Sequence, residues 1–116
     1  MDDEDMIRDL RHRILSRLDY EPGLAADGNE AIEMYQEALK SDRPYEIVIL
    51  DLTVKGGLGG KDAAQKILKL NPQAKLIVSS GYSDDPVMTK FRDYGFIAAL
   101  PKPYKIEDMF DVLKRL

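Results

Sequence analysis

Ile47-Val48-Ile49-Leu50-Asp51 decides how the rest of this chain is read. Four consecutive β-prone apolar residues end abruptly on a carboxylate, the pattern of a short strand buried on both faces of a parallel sheet. Leu76-Ile77-Val78 and Phe96-Ile97-Ala98-Ala99-Leu100 carry similar runs. Between these strands lie two helical patterns, one over about residues 61–70 ended by Asn71-Pro72, the other over about residues 85–94 ended by Gly95. Upstream, Ala31, Ile32, Tyr35, Ala38 and Leu39 recur at helical spacing between an Asp27-Gly28 start and a Ser41-Asp42-Arg43-Pro44 stop. Before them, Ile7, Leu10, Ile14 and Leu18 mark one face of a helix over residues 5–18. A last amphipathic stretch carries Ile106, Met109, Phe110, Leu113 and Leu116. Helices alternating with short buried strands indicate an α/β fold with right-handed crossovers.

The 116 residues are enough for one domain, 1–116, with a single core. No apolar run approaches the length of a membrane span, and the Met-Asp-Asp-Glu-Asp start is acidic where a secretory signal is basic. A cytoplasmic protein without a membrane partner is expected. Zero cysteines exclude disulfides, thiol catalysis and cysteine zinc sites, so a bound metal would sit on oxygen ligands. A net charge of −4 without a basic cluster argues against a direct nucleic-acid surface, because such surfaces must neutralise phosphates. The expected partner is another protein.

Ligands of an open parallel sheet bind beyond the carboxyl ends of its strands, so the residues that close each strand are the candidates. Asp51 closes the 47–50 run, Ser79-Ser80-Gly81 closes the 76–78 run, and Lys102-Pro103 follows the 96–100 run. Asp2, Asp3, Glu4 and Asp5 stand just before the first helix. A carboxylate, a hydroxyl, an ammonium and an acidic pair can therefore meet at one edge if the strands are adjacent. Taken singly, each has a plainer reading: a strand-ending turn residue, a favourable charge at a helix N-terminus, a turn, and a loop residue before proline. His12, without acidic or hydroxyl companions in a motif, is expected to point to solvent.

Asp2-Asp3, Asp51-Leu52-Thr53 with Gly60, Ser80-Gly81 and Lys102-Pro103, in that order and spacing, resemble the response-regulator receiver family over nearly the whole chain. Tyr82 and the Gly-Gly-Leu-Gly-Gly loop are similar to receivers attached to hybrid histidine kinases. The resemblance implies a flavodoxin-like, doubly wound parallel sheet of order 2-1-3-4-5 with helices on both faces. It further implies that Asp51 takes phosphoryl from a phosphohistidine, beside Mg²⁺ or Mn²⁺ held by Asp3, Asp51, the Thr53 backbone carbonyl and, through water, Asp2. Lys102 would pair with the phosphoryl oxygens and Ser80 would hydrogen-bond another of them, while Thr53 and Tyr82 would tune the phosphoryl lifetime. The expected protein is not an enzyme acting on a separate substrate; it promotes only its own aspartyl phosphorylation and dephosphorylation. A histidine kinase or phosphotransfer protein supplies the phosphoryl group. An effector reads the result, either as a separate protein or as the rest of a hybrid kinase.

Three departures from the family pattern bear on this expectation. Only Met1 precedes the acidic pair, so the usual first strand, central in the family's sheet, is missing from this chain. The expected second strand, residues 21–26, carries Pro22 and Gly23, which suit only an edge. Ala99 stands where many receivers carry an aromatic switch residue. The missing strand leads to the expectation of a homodimer through strand exchange or edge pairing. It also favours one rival, a phosphorylation-incompetent pseudo-receiver acting as a docking module, against which the intact Asp51, Ser80 and Lys102 speak. A second rival, a haloacid-dehalogenase-like phosphatase, needs a second Asp where this chain has Thr53.

Overall fold

The three apolar runs do form strands: β1 (Ile47–Asp51), β2 (Lys75–Ser80) and β3 (Ala98–Pro101), parallel and hydrogen-bonded in the order β1-β2-β3. The structure, a computed structural model, describes Met1, Met6 and Tyr45 together with residues 8–10, 12–13, 25–41, 47–52, 59–81, 85–102 and 106–114. Side chains alternate between the two faces of a strand, and here each face is apolar. Leu50, Leu76 and Val78 enter one cluster with Tyr35, Ala63, Ala64, Ile67, Val87, Met88 and Phe96. Ile49, Ile77 and Leu100 enter the other with Met109 and the half-buried Val112 and Leu113. The first cluster is covered by helices α1 (Gly28–Lys40), α2 (Gly60–Leu70) and α3 (Pro86–Thr89), and the second by α4 (Ile106–Lys114). Helices thus lie on both faces of the described sheet.

The sequence explains the helix ends. Asp27 caps α1, its carboxylate accepting from the Glu30 N–H at 2.9 Å while the Glu30 carboxylate accepts from the Ala26 N–H at 3.3 Å. Tyr35 is buried with its hydroxyl accepting from the Asn71 side-chain amide at 3.0 Å, which ties the middle of α1 to the end of α2. The start of α2 sits against β1. A Cβ on Gly60 would lie 2.5 Å from the Asp51 carbonyl oxygen and 3.1 Å from the Leu50 Cβ, and one on Gly59 would lie 2.5 Å from the Leu52 carbonyl oxygen. Only a missing side chain lets the helix approach the Asp51 backbone this closely. Gly60→Ala is therefore expected to destabilise the fold by about 1–3 kcal/mol through overpacking. A urea midpoint unchanged by that substitution would mean that α2 can back away from β1 freely.

Two expectations change. Residues 85–94 are not one helix: α3 ends at Thr89, Lys90 departs from helical geometry, and Phe91–Tyr94 is a 3₁₀ turn. A 3₁₀ turn sets residues three apart on one side, which suits the half-buried Phe91 and Tyr94, while Arg92 and Asp93 stay exposed. The third strand starts later than residue 96. Gly95 ends the turn in the left-handed region (φ 90°), and the Phe96 N–H donates to the Phe91 carbonyl at 3.1 Å, so Phe96 serves the turn and the core and not the ladder. The ladder opens with the Ile97 N–H donating to Leu76 at 2.8 Å.

At the chain start, Met6, residues 8–10 and 12–13 are helical, and His12 is exposed as expected; Ile7, Ile14 and Leu18 lie outside the described residues. Most of the expected 21–26 strand also lies outside them, and Ala25 and Ala26 are not in a strand. The first strand expected to be missing belongs at the outer edge of β1, and there Met1 pairs with it. The Met1 ammonium donates to the Ile49 carbonyl at 2.6 Å, and the Met1 carbonyl accepts from the Asp51 N–H at 3.2 Å. This bond pair is that of a parallel ladder, with Met1 opposite Leu50. Met1 is half-buried against the first cluster, so among the described residues one residue occupies the outer edge of β1.

Candidate functional site

The carboxyl ends of the three strands gather the residues singled out by sequence. Asp51 is the last residue of β1 and only 4% exposed. The Leu52 N–H donates to the Ser79 carbonyl at 3.0 Å and the Lys102 N–H donates to the Ser80 carbonyl at 2.8 Å, carrying the ladder past the strand ends. These two bonds fix Asp51 and Lys102 on either side of β2. Strands are about 4.8 Å apart, so the Lys102 stem must cross the end of β2 to reach β1. It does: the Lys102 Nζ lies 3.3 Å from the Asp51 Oδ2. The pair is largely withdrawn from solvent, the Lys102 side chain being 15% exposed and that of Asp51 5%.

A half-buried ion pair is a weak device for stability alone, because desolvation offsets much of its attraction. It is a better arrangement for a carboxylate that must remain ionised beside a mobile cation. Ser80, 2% exposed at the last position of β2, stands between the two strands that carry the pair. Asp51 and Lys102 are thus brought together, and Ser80 ends the strand between them, one position past the register partner of Asp51. Asp2, Asp3, Thr53 and Tyr82 lie outside the described residues.

Among the described residues no group of three or more His, Cys, Asp or Glu side chains forms that could hold a metal ion. Asp51 contributes one hard oxygen donor, and the three further donors named from sequence belong to the residues just stated. The donor chemistry, all carboxylate and carbonyl oxygen, fits Mg²⁺. Ala99 faces Val78 in register and packs half-buried against the first cluster, so its small side chain leaves no aromatic ring to swing between that core and solvent. Ser79, named from sequence only as a strand-closing residue with Ser80 and Gly81, stands directly opposite Asp51 in register. Among the described residues no helix is long and apolar enough to cross a membrane.

The chain matches the response regulator receiver domain over residues 1–114. It is 31% identical to the chemotaxis protein CheY of Thermotoga maritima, an alignment covering 100% of this chain and 92% of that protein. It is 26% identical to the response regulator GacA of Pseudomonas aeruginosa and 28% identical to the sensor kinase CckA of Brucella abortus, spanning 52% and 12% of their lengths. The receiver domain of NtrX from Brucella abortus superposes with a TM-score of 0.85 at 29% identity, over 98% of this chain and 92% of that one. The CheX-CheY-BeF3-Mg complex from Borrelia burgdorferi gives a TM-score of 0.88 at 20% identity over 98% of this chain and 83% of that one, a likeness of fold. The three described strands correspond to the 3-4-5 half of the flavodoxin-like order, with the ion pair at their carboxyl ends, where this fold places its ligands. With the family match covering nearly its whole length, the chain belongs to the response regulator receiver domains of two-component signalling.

Proposed function

We propose that this receiver is a phosphorylation switch whose acceptor is Asp51. The observation that carries the reading is the withdrawn Asp51 carboxylate at the end of β1 with the Lys102 ammonium 3.3 Å away. In the reaction an Asp51 oxygen attacks the phosphorus of a phosphohistidine; the P–N bond breaks, its electron pair returns to the imidazole, which takes up a proton, and an acyl phosphate forms on Asp51. Asp3, Asp51 and the Thr53 carbonyl, with Asp2 through water, would hold Mg²⁺, which would offset negative charge at this site. Lys102 turns from the carboxylate to a phosphoryl oxygen, a short move for a flexible point charge. Ser80 donates to another phosphoryl oxygen.

The chain turns over no separate substrate and acts only on its own aspartyl group. A cytoplasmic histidine kinase or phosphotransfer protein is the donor. The surface around Ser80, the 85–94 segment and α4 is what an effector reads, through a shift in population between two states. A second reading is a docking module that is never phosphorylated, since Met1 is the one described residue on the outer edge of β1.

Beryllofluoride binding separates the two. The wild-type chain should bind it only with Mg²⁺ or Mn²⁺ present. Lys102→Ala should leave Mg²⁺ affinity nearly unchanged and weaken beryllofluoride binding about tenfold or more, the usual worth of a hydrogen bond to a charged group. Loss of Mg²⁺ affinity in that variant would contradict the assignment of Lys102 to the phosphoryl group, and a wild-type chain that ignores beryllofluoride would favour the docking module.

A further inference from the structure

The 85–94 segment carries the ends of a single α-helix, yet it breaks at Lys90. Asp85 caps it, Pro86 takes the first helical position, and Gly95 in the left-handed region suits the end of an α-helix as well as that of a 3₁₀ turn. Lys90 nevertheless leaves helical geometry (φ −119°, ψ 43°), and Phe91–Tyr94 winds as a 3₁₀ turn. The two forms differ in where they put Tyr94. A 3₁₀ turn rises about 2.0 Å and rotates about 120° per residue, against about 1.5 Å and 100° in an α-helix, so rewinding residues 91–94 would draw Tyr94 back by about 2 Å and rotate it by about 80°. In the observed form the half-buried Tyr94 ring meets the exposed Lys61, whose Nζ lies 5.2 Å from the ring centroid, within reach of a cation–π attraction. Rewinding would carry the ring off that ammonium. Lys61 is in turn placed by the acceptor. It follows Gly60, where an added Cβ would lie 2.5 Å from the Asp51 carbonyl oxygen, and Gly59 stands equally close to the Leu52 carbonyl oxygen. Packing this close passes a displacement of the Asp51 backbone to the start of α2.

We infer that Lys61 and Tyr94 form a latch, which holds the 85–94 segment in its broken form while Asp51 is unmodified and opens when phosphorylation shifts the start of α2. This rests on the phosphoacceptor reading above and names the contact by which that site governs the 85–94 segment. Ala99 offers no ring for the task, whereas the Tyr94 ring packs against the first cluster and also meets Lys61. A cation over a partly exposed tyrosine is worth about threefold in an equilibrium constant. That size biases the segment without locking it. By linkage, a group that opens the latch should bind about threefold more tightly once the latch is gone.

Lys61→Met tests the latch, because it keeps the apolar stem and removes the charge. The Cα chemical shifts of residues 90–94 should move toward helical values in that variant, and beryllofluoride with Mg²⁺ should bind about threefold more tightly. Lys61→Arg, which keeps a cation for the ring, should behave as the wild type. So should Lys66→Met, which removes the same charge from another exposed position of α2. Unchanged Cα shifts in Lys61→Met would show that the contact does not hold the break and overturn the inference. Equal tightening by Lys66→Met would trace the effect to net charge and overturn it as well. Unchanged or weaker beryllofluoride affinity in Lys61→Met, with the wild type binding, overturns the inference alone. Absence of binding by the wild type overturns the phosphoacceptor reading and this inference with it.

Discussion

Incubation with acetyl phosphate and Mg²⁺ should add the mass of one phosphoryl group to the wild-type chain and nothing to Asp51→Asn. The argument rests on the chemistry of one atom. An asparagine amide has no anionic oxygen to form an acyl phosphate, yet it fills the volume of Asp51, so the 4%-exposed end of β1 remains packed. The substitution also releases the Lys102 ammonium from its 3.3 Å partner. That side chain is long and 15% exposed, and it can turn its charge to water at small cost, so the variant should fold. Intact-mass measurement on folded protein, with and without chelator, reads the result directly. An adduct that persists undiminished in Asp51→Asn would exclude Asp51 as acceptor.

The apolar runs made the sheet legible because a strand buried on both faces must be apolar at every position. Ile47 to Leu50 and Leu76 to Val78 satisfy this, and they pair in register. The edge residues were legible for a different reason: polar groups directly after such runs have no use in the core, and Asp51 and Lys102 do meet. What escaped depends on contacts between distant segments. The close approach of Gly59 and Gly60 to the backbone of Asp51 and Leu52 cannot be told from an ordinary flexible loop by composition. The break at Lys90 escaped because Val87, Met88, Phe91 and Tyr94 suit an α-helix as well as a 3₁₀ turn. The place of Ser79 escaped because its neighbour Ser80 satisfied the motif, and only register shows which serine stands beside Asp51. The bridge made by Met1 could not be seen at all, since one residue carries no periodicity.

That bridge defines the second large effect, the response of the chain to five or six apolar residues added before Met1. Met1 stands opposite Leu50, so the residue two positions before it would stand opposite Val48, accepting from the Ile49 N–H and donating to the Ile47 carbonyl. Alternation would turn that residue toward the first cluster, as Met1 is turned, and the one adjacent to Met1 toward the second, beside Ile49. Both faces are apolar, so every added residue needs to be. About five buried side chains at roughly 1.5–3 kcal/mol each give on the order of 10 kcal/mol, against about 1–2 kcal/mol of backbone entropy per ordered residue. A net gain of a few kcal/mol, about 10 °C in melting temperature, is expected. The extension also turns a part-buried ammonium at Met1 into a neutral peptide N–H, removing a desolvation cost. Among the described residues Met1 alone pairs with the outer edge of β1, so the 116-residue form is expected to sediment as a dimer or larger and the extended form as a monomer. Mg²⁺ should bind more tightly to the extended form, because the strand would hold the peptide that enters Asp2 and Asp3. A monomer whose melting temperature and Mg²⁺ affinity ignore the extension would show that the Met1 bridge already completes the edge.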